Sequence, residues 1–180
     1  ECTPYLKAVF NAFNSAPMLQ FLEKLTGIEG LIPDPYFTGG GLHETKSGGY
    51  LGVHSDFRLN KKLNIYRRLN AIIYLNKDWQ EEYGGNLELW DAGMKTCLKK
   101  VLPIYNRCVI FNTDADSNHG HPEPLTTPPH ITRKSIALYY YTAATEVVDP
   151  AQRNKTHYKP RPKDRFSLKY YIRKLIKKKN

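Results

Sequence analysis

The stretch Gly48-Gly49-Tyr50-Leu51-Gly52-Val53-His54-Ser55-Asp56-Phe57 is the one from which the fold reads outward. His54 and Asp56 alternate with Val53 and Phe57. In an extended chain successive side chains point to opposite sides, so the imidazole and the carboxylate project together from one face. That pair is half of a divalent metal site, and its ligand types suit iron, manganese or zinc. It lacks a second histidine. Because His-x-Asp pairs also arise by chance on surface strands, the rest of the chain decides its meaning.

Around this stretch the sequence predicts strands. Residues 42–45, 49–57, 68–76, 86–90, 99–102, 107–112 and 134–142 form short runs rich in β-branched or aromatic residues, separated by Gly, Pro, Asn or Asp clusters. So many short strands within about a hundred residues predict a sandwich or closed barrel rather than βαβ units. The segment from Asp78-Trp79 to Gly84-Gly85 reads as a hairpin connection. Ahead of the strands, Tyr5, Leu6, Val9, Phe10 and Phe13 recur at helical intervals behind Pro4. A second helix follows through Met18, Leu19, Leu22 and Leu25, with Gly27 placed to stop it in a left-handed cap. The fold class is mainly β with flanking helices.

Composition narrows the function. The chain has 180 residues, enough for one core without disulfide support, and its three cysteines, Cys2, Cys97 and Cys108, form no Cys-x-x-Cys pair. That count argues against a secreted disulfide scaffold and a cysteine-built zinc site. No apolar run approaches the ~20 residues needed to span a bilayer, and the expectation is a soluble, cytoplasmic protein. Twelve of the 27 Lys and Arg fall within 153–180 beside a single acid, Asp164. Residues 1–152 therefore hold 15 basic and 16 acidic residues, so the net charge of +10 belongs to the end of the chain. The expected organisation is one β domain over 1–152 and a basic extension over 153–180. In that extension Leu168, Tyr171, Ile172, Leu175 and Ile176 outline an amphipathic helix. Docking of that stripe on the domain is preferred to a membrane-surface or nucleic-acid role. Thr156 to Pro162 reads as an extended segment crossing the barrel mouth, where its basic groups would attract an acidic substrate.

The missing ligand comes from farther along. Asp114-Ala115-Asp116-Ser117-Asn118-His119-Gly120-His121-Pro122 follows the apolar strand Cys108-Val109-Ile110-Phe111 and offers two histidines, either able to complete a two-histidine, one-carboxylate face. Next comes Arg133-Lys134-Ser135-Ile136-Ala137-Leu138-Tyr139. Period two sets Arg133, Ser135, Ala137 and Tyr139 on one face and Ile136, Leu138 and Tyr140 on the other. An inward arginine is costly without an anion, and a dicarboxylate gripped by two parallel hydrogen bonds supplies one. Ser135 offers a further donor. There is no persuasive Ser-His-Asp or Cys-His arrangement for nucleophilic catalysis.

Taken in order, His54-x-Asp56, Tyr74-Leu75-Asn76, Gly84-Gly85-Asn86-Leu87, His119-Gly120 and Arg133-x-Ser135 resemble the Fe(II)/2-oxoglutarate-dependent oxygenases, specifically the prolyl 4-hydroxylase-like group, across roughly residues 31–145. The resemblance implies a double-stranded β-helix, or jelly roll, with Fe(II) on His54, Asp56 and His119. It also implies 2-oxoglutarate on Arg133 with Ser135 and Tyr74 as helpers, O2 as oxidant and ascorbate as a supporting reductant. His119 is preferred to His121 because the family pattern has His-Gly there. The implied reaction is hydroxylation of a C–H bond, of a prolyl residue, an amino acid or another small molecule, with release of succinate and CO2. The alternative is a non-catalytic or differently metallated jelly-roll protein that binds a sugar or peptide. Among the remaining polar residues, His43 reads as a hydrogen-bonded structural histidine in preference to a residue lining the substrate pocket, and His130 and His157 read as solvated. Asn70 and Glu44 are weaker co-substrate contacts than Tyr74. Arg67-Arg68 reads as part of a basic loop just beyond the metal strand that carries substrate contacts, with an ordinary solvated loop as the competing account.

Overall fold

A computed structural model describes residues 3–144 and 155–166. Helix α1, Pro4–Phe13, begins where Thr3 accepts the Leu6 N–H on its side-chain oxygen and Pro4 fills the first turn. Helix α2, Ala16–Thr26, ends at Gly27, whose φ of 69° supplies the left-handed stop expected from the sequence. The strands follow as β1 Ile32–Pro33, β2 Gly41–Thr45, β3 Leu51–Ser55, β4 Leu59–Asn60, β5 Ile65–Tyr74, β6 Leu87–Trp90, β7 Cys97–Val101, β8 Cys108–Asn112, β9 Asn118–His121, β10 Arg133–Ala143 and β11 His157–Tyr158. The predicted C-terminal amphipathic helix lies outside the described residues.

All pairings are antiparallel. One sheet of six strands runs β1-β10-β5-β4, with β2 also on β10 and β8 also on β5; a second of five runs β11-β3-β9-β6-β7. Two such sheets with helices on one outer face make the expected jelly roll, a double-stranded β-helix. The long strands β5 and β10 carry the division of labour. Leu69, Ala71 and Ile73 of β5, with Ile136, Leu138 and Tyr140 of β10, face the helices and join Leu22 and Leu31 in the main apolar core. Val9, Phe10 and Phe13 of α1 and Met18 and Leu19 of α2 cover that core. The opposite face of the same strands carries Asn70, Ile72, Arg133, Ser135, Ala137 and Tyr139 into a cavity between the sheets. The apolar layer therefore fixes two strands whose other faces are free to carry polar chemistry.

Two local readings are corrected. Residues 78–85 do not close a hairpin: the segment contains a 3-10 turn at Glu81–Tyr83 and carries the chain from β5 in one sheet to β6 in the other. Turn-forming residues alone do not say which strand the chain pairs with next. Nor is Arg67 in a solvated loop, because β5 begins two residues before it and the side chain is 2% exposed. The register explains this. Tyr140 opposes Leu69, but Tyr141 opposes Arg67, so β5 holds one extra residue at Arg68. That bulge reverses the alternation and turns Arg67 toward the cavity.

Candidate metal centre and co-substrate pocket

Register sets the candidate metal centre. His54 on β3 and His119 on β9 are direct partners across the ladder, with ring centroids 4.5 Å apart, and Asp56 follows two residues after His54. Gly120 permits this approach: a Cβ there would lie 2.7 Å from the Leu51 carbonyl oxygen and 2.9 Å from that of Gly52. One potential ligand atom from each of His54, Asp56 and His119 lies within 4.8 Å of the others. The His54 Nε2 is 3.5 Å from Asp56 Oδ1, and the His119 Nε2 is 3.4 Å from Asp56 Oδ2.

The hydrogen bonds behind these atoms test whether a cation fits. The Nδ1 of His54 lies 2.9 Å from the Gly52 carbonyl oxygen, and that of His119 lies 3.0 Å from the Ser117 carbonyl oxygen. A carbonyl only accepts, so in each neutral ring Nδ1 carries the proton and Nε2 presents a lone pair. Two lone pairs then face a carboxylate, an arrangement that asks for a metal ion. Backbone carbonyls that fix ring tautomer and orientation are the usual support of metal-bound imidazoles. Burial holds His119 neutral, with its pKa lowered to about 4 against the opposing pull of Asp56. For Asp56, burial favours the neutral acid. The charge of Arg67 and the Asn70 amide outweigh it and hold the carboxyl well below its usual range.

Behind Asp56 stands a buried network. Arg67 Nη2 is 2.9 Å from Asp56 Oδ2, the same oxygen accepts from Asn70 Nδ2 at 2.8 Å, and Arg67 Nε donates to Asn70 Oδ1 at 2.8 Å. The guanidinium lies 3.4 Å from the Tyr139 ring centroid and 5.1 Å from that of Phe57. Asn70 thus lines the cavity but is committed to the metal-site carboxylate. The sequence held no cue to Arg67, since plain alternation from Asn70 and Tyr74 sends it to the other face.

The cavity has a volume of about 470 Å³ and contains the three metal-site residues together with Arg133 and Ser135. Arg133 opens β10 at 6% exposure. Its Nε donates to the Gly85 carbonyl at 2.9 Å, and its Nη2 lies 3.4 Å from the Tyr74 hydroxyl. Gly85 has a φ of 70°, and a Cβ on it would sit 3.0 Å from the Arg133 Cδ, so the Gly84-Gly85 turn makes the arginine's seat. Among the described residues no carboxylate pairs with Arg133. A buried cation without a counter-ion marks a place for an anion. Burial raises the Tyr74 hydroxyl pKa against the opposing effect of Arg133, so it stays a neutral hydrogen-bonding group.

The other polar residues fall as follows. His43 is exposed and belongs to the cavity wall instead of a structural hydrogen-bond network, and Glu44 lies beside it, 3.9 Å from Lys134. His130 and His157 are exposed. His121 is buried, lines the cavity and stands apart from the three-residue metal group. The expected mouth segment does approach the site: β11 pairs with β3, and the Tyr158 ring lies 5.3 Å from that of His54.

A two-histidine, one-carboxylate face with open positions, set inside an antiparallel double sheet, defines the class of non-haem Fe(II) oxygenases. Residues 40–141, more than half of the chain, match the 2OG-Fe(II) oxygenase superfamily, and the protein belongs to that family. Prolyl 3-hydroxylase OGFOD1 of Mus musculus is 32% identical over 79 residues, 42% of this chain and 14% of that protein. Prolyl hydroxylase EGLN3 of Homo sapiens is 31% identical over 78 residues, 43% of this chain and 30% of that protein. The chain therefore spans well under half the length of these relatives. Among solved structures, a prolyl 4-hydroxylase from Phytophthora capsici shares the fold with a TM-score of 0.57 at 23% identity, over 96% of this chain and 52% of that one. Among the described residues no helix is long and apolar enough to cross a membrane.

Proposed function

We propose that the protein hydroxylates a C–H bond, with His54, Asp56 and His119 holding Fe(II) and Arg133, aided by Ser135 and the Tyr74 hydroxyl, holding the far carboxylate of 2-oxoglutarate. The observation that carries this is the pairing, in one cavity, of a three-ligand cluster with a buried arginine that has no acidic partner among the described residues. When bound, the iron would couple O2 to oxidation of the 2-oxo acid and of the substrate, one oxygen atom going to succinate and one to the hydroxyl, with CO2 released. The chain's own part is positional. The Gly52 and Ser117 carbonyls aim the two imidazoles, Arg67 and Asn70 fix Asp56, and the Gly85 carbonyl and Tyr74 hydroxyl orient the guanidinium.

The substrate reading is a prolyl residue in a peptide, or a free amino acid or other small molecule. The names of the relatives support the first, and the exposed Tyr50 and Leu42 at the cavity wall would suit an apolar segment. The free thiols of Cys97 and Cys108 support a reducing, cytoplasmic location. The organisation consistent with this reading is a catalytic domain over 1–152 and a basic extension over 153–180. The test is an assay with Fe(II), 2-oxoglutarate and O2 against peptides and amino acids. Succinate should form in step with a product one oxygen heavier, and both should vanish in His119→Ala. Tight metal binding without succinate on a broad panel would instead favour a sugar- or peptide-binding jelly roll.

A further inference from the structure

The match to the oxygenase family ends at residue 141, yet the chain returns to the metal centre after it. Residues His157–Tyr158 form β11, which pairs antiparallel with β3, and the Lys159 N–H extends the contact by donating to the Val53 carbonyl at 2.8 Å. Without β11 the strand that carries His54 would be the open edge of its sheet, a row of unpaired backbone groups. Tyr158 is the direct partner of His54, so the two side chains share a face. His119, His54 and Tyr158 therefore stand side by side on three neighbouring strands, with successive ring centroids 4.5 and 5.3 Å apart. The Tyr158 ring also reaches Gly52, where a Cβ would lie 3.5 Å from it, and the Gly52 carbonyl is the group that fixes the His54 Nδ1. Toward the other histidine, Lys159 Nζ is 3.6 Å from Asp116, the neighbour of the Ser117 whose carbonyl holds His119.

A ladder this short holds little by itself, and its fastening lies next along the chain. Arg161 is 5% exposed. Its Nε and Nη2 donate to the two carboxylate oxygens of Asp164, each at 2.8 Å, and its Nη1 pairs with Glu123 in the loop that follows β9. A two-pronged pair of guanidinium and carboxylate fixes geometry as well as charge. Lys163 closes on the same Glu123. We propose that Arg161 is a positioning residue for the metal centre: by latching residues 157–164 to the loop after β9, it holds Tyr158 against His54 and keeps β3 an interior strand. This rests on the reading of His54 as a metal ligand, and it brings part of the basic extension into the catalytic unit.

The test is a double-mutant cycle on the full chain. Arg161→Met removes the latch, Tyr158→Ala removes the ring it positions, and Tyr158→Phe keeps the ring. Tyr158 is 60% exposed, so its replacement leaves the core packing untouched. Amide hydrogen exchange reads the segment in the metal-free protein, and Mn(II) titration without O2 reads the metal centre. In Arg161→Met the Lys159 N–H should exchange roughly tenfold faster or more, while the amides of Leu69, Ala71 and Leu138 in the two long strands keep their rates, the mark of a local opening. Mn(II) should bind about tenfold more weakly to Arg161→Met and to Tyr158→Ala, the low end for groups that orient metal-binding histidines, and as tightly as wild type to Tyr158→Phe. Because the latch acts through the ring, the double variant Arg161→Met/Tyr158→Ala should also be about tenfold weaker, not about a hundredfold. Wild-type Mn(II) affinity in Arg161→Met or Tyr158→Ala, losses that multiply in the double variant, or faster exchange throughout the long strands overturns the proposal. A wild-type protein with no tight Mn(II) site refutes the metal reading itself, and the positioning role with it.

Discussion

Replacing Arg67 with leucine should destabilise the metal-free protein far more than the metal-loaded one. In the wild type, Asp56 Oδ2 sits 2.9 Å from the guanidinium and 2.8 Å from the Asn70 amide, with the two histidine Nε2 atoms 3.5 and 3.4 Å from its oxygens. Arg67 is 2% and Asp56 9% exposed, so removing the arginine leaves a buried carboxylate facing two lone pairs with one neutral donor. Breaking a buried pair from one side costs ~3–5 kcal/mol. For a domain of this size each kcal/mol lowers the melting temperature by ~2–4 °C, which gives a loss of roughly 10 °C or more without metal. A bound divalent cation supplies the missing positive charge, so with saturating Mn(II) the loss should fall to about half. By linkage, a difference of ~2 kcal/mol means that the variant binds Mn(II) roughly thirtyfold more tightly than the wild type. Differential scanning calorimetry with and without Mn(II), and a direct Mn(II) titration, measure both quantities. Arg67 also stacks on Tyr139 and Phe57, and loss of that packing alone would cost the same in both states. Equal losses with and without Mn(II) would refute the electrostatic reasoning.

Other perturbations separate the parts of the site. Arg133→Ala should weaken 2-oxoglutarate binding by a hundredfold or so, as expected for ~2–3 kcal/mol of charge-assisted hydrogen bonding, while leaving Mn(II) affinity nearly unchanged; parallel titrations of both ligands check this. The metal-free protein should lose stability as pH falls from about 6.5 toward 4. Burial lowers the pKa of His119 to about 4 and that of His121 to about 3, so the unfolded chain binds protons the native one refuses, at up to ~1.4 kcal/mol per pH unit for each ring. Below that window the depressed Asp56 carboxyl adds its own loss, and urea unfolding at a series of pH values should trace the slope. Asn76→Ala should cost ~1–3 kcal/mol in stability, because it strips partners from the Pro103 carbonyl and the Lys134 N–H. Mn(II) binding to that folded variant should match the wild type.

How far the site could be read from the sequence follows from periodicity. Arg133-x-Ser135 opens β10 and His54-x-Asp56 runs one residue past the end of β3, so in both the local alternation tells which residues point together. The helical spacing of Val9, Phe10, Phe13, Leu19 and Leu22 likewise marked the layer that covers β5 and β10. Arg67 was hidden because a single extra residue at Arg68 inverts the alternation, and no local composition announces a bulge. The role of residues 78–85 was hidden for a related reason: a turn signal gives a change of direction but not the sheet that receives the next strand. His121 shares a face with His119, so period two had already brought it inward. What spacing could not supply was which of the two joins the ligand group: His119 brings a ring nitrogen within 4.8 Å of the His54 and Asp56 ligand atoms.

The central claim is that His54, Asp56 and His119 together hold one divalent ion. Titration of Mn(II) followed by the electron paramagnetic resonance of the free ion counts that site directly. The account predicts one ion per wild-type chain, no tight binding in His54→Ala, Asp56→Ala or His119→Ala, and full binding in His121→Gln. Retention of the tight site in any of the three alanine variants, or its loss in His121→Gln alone, would contradict it.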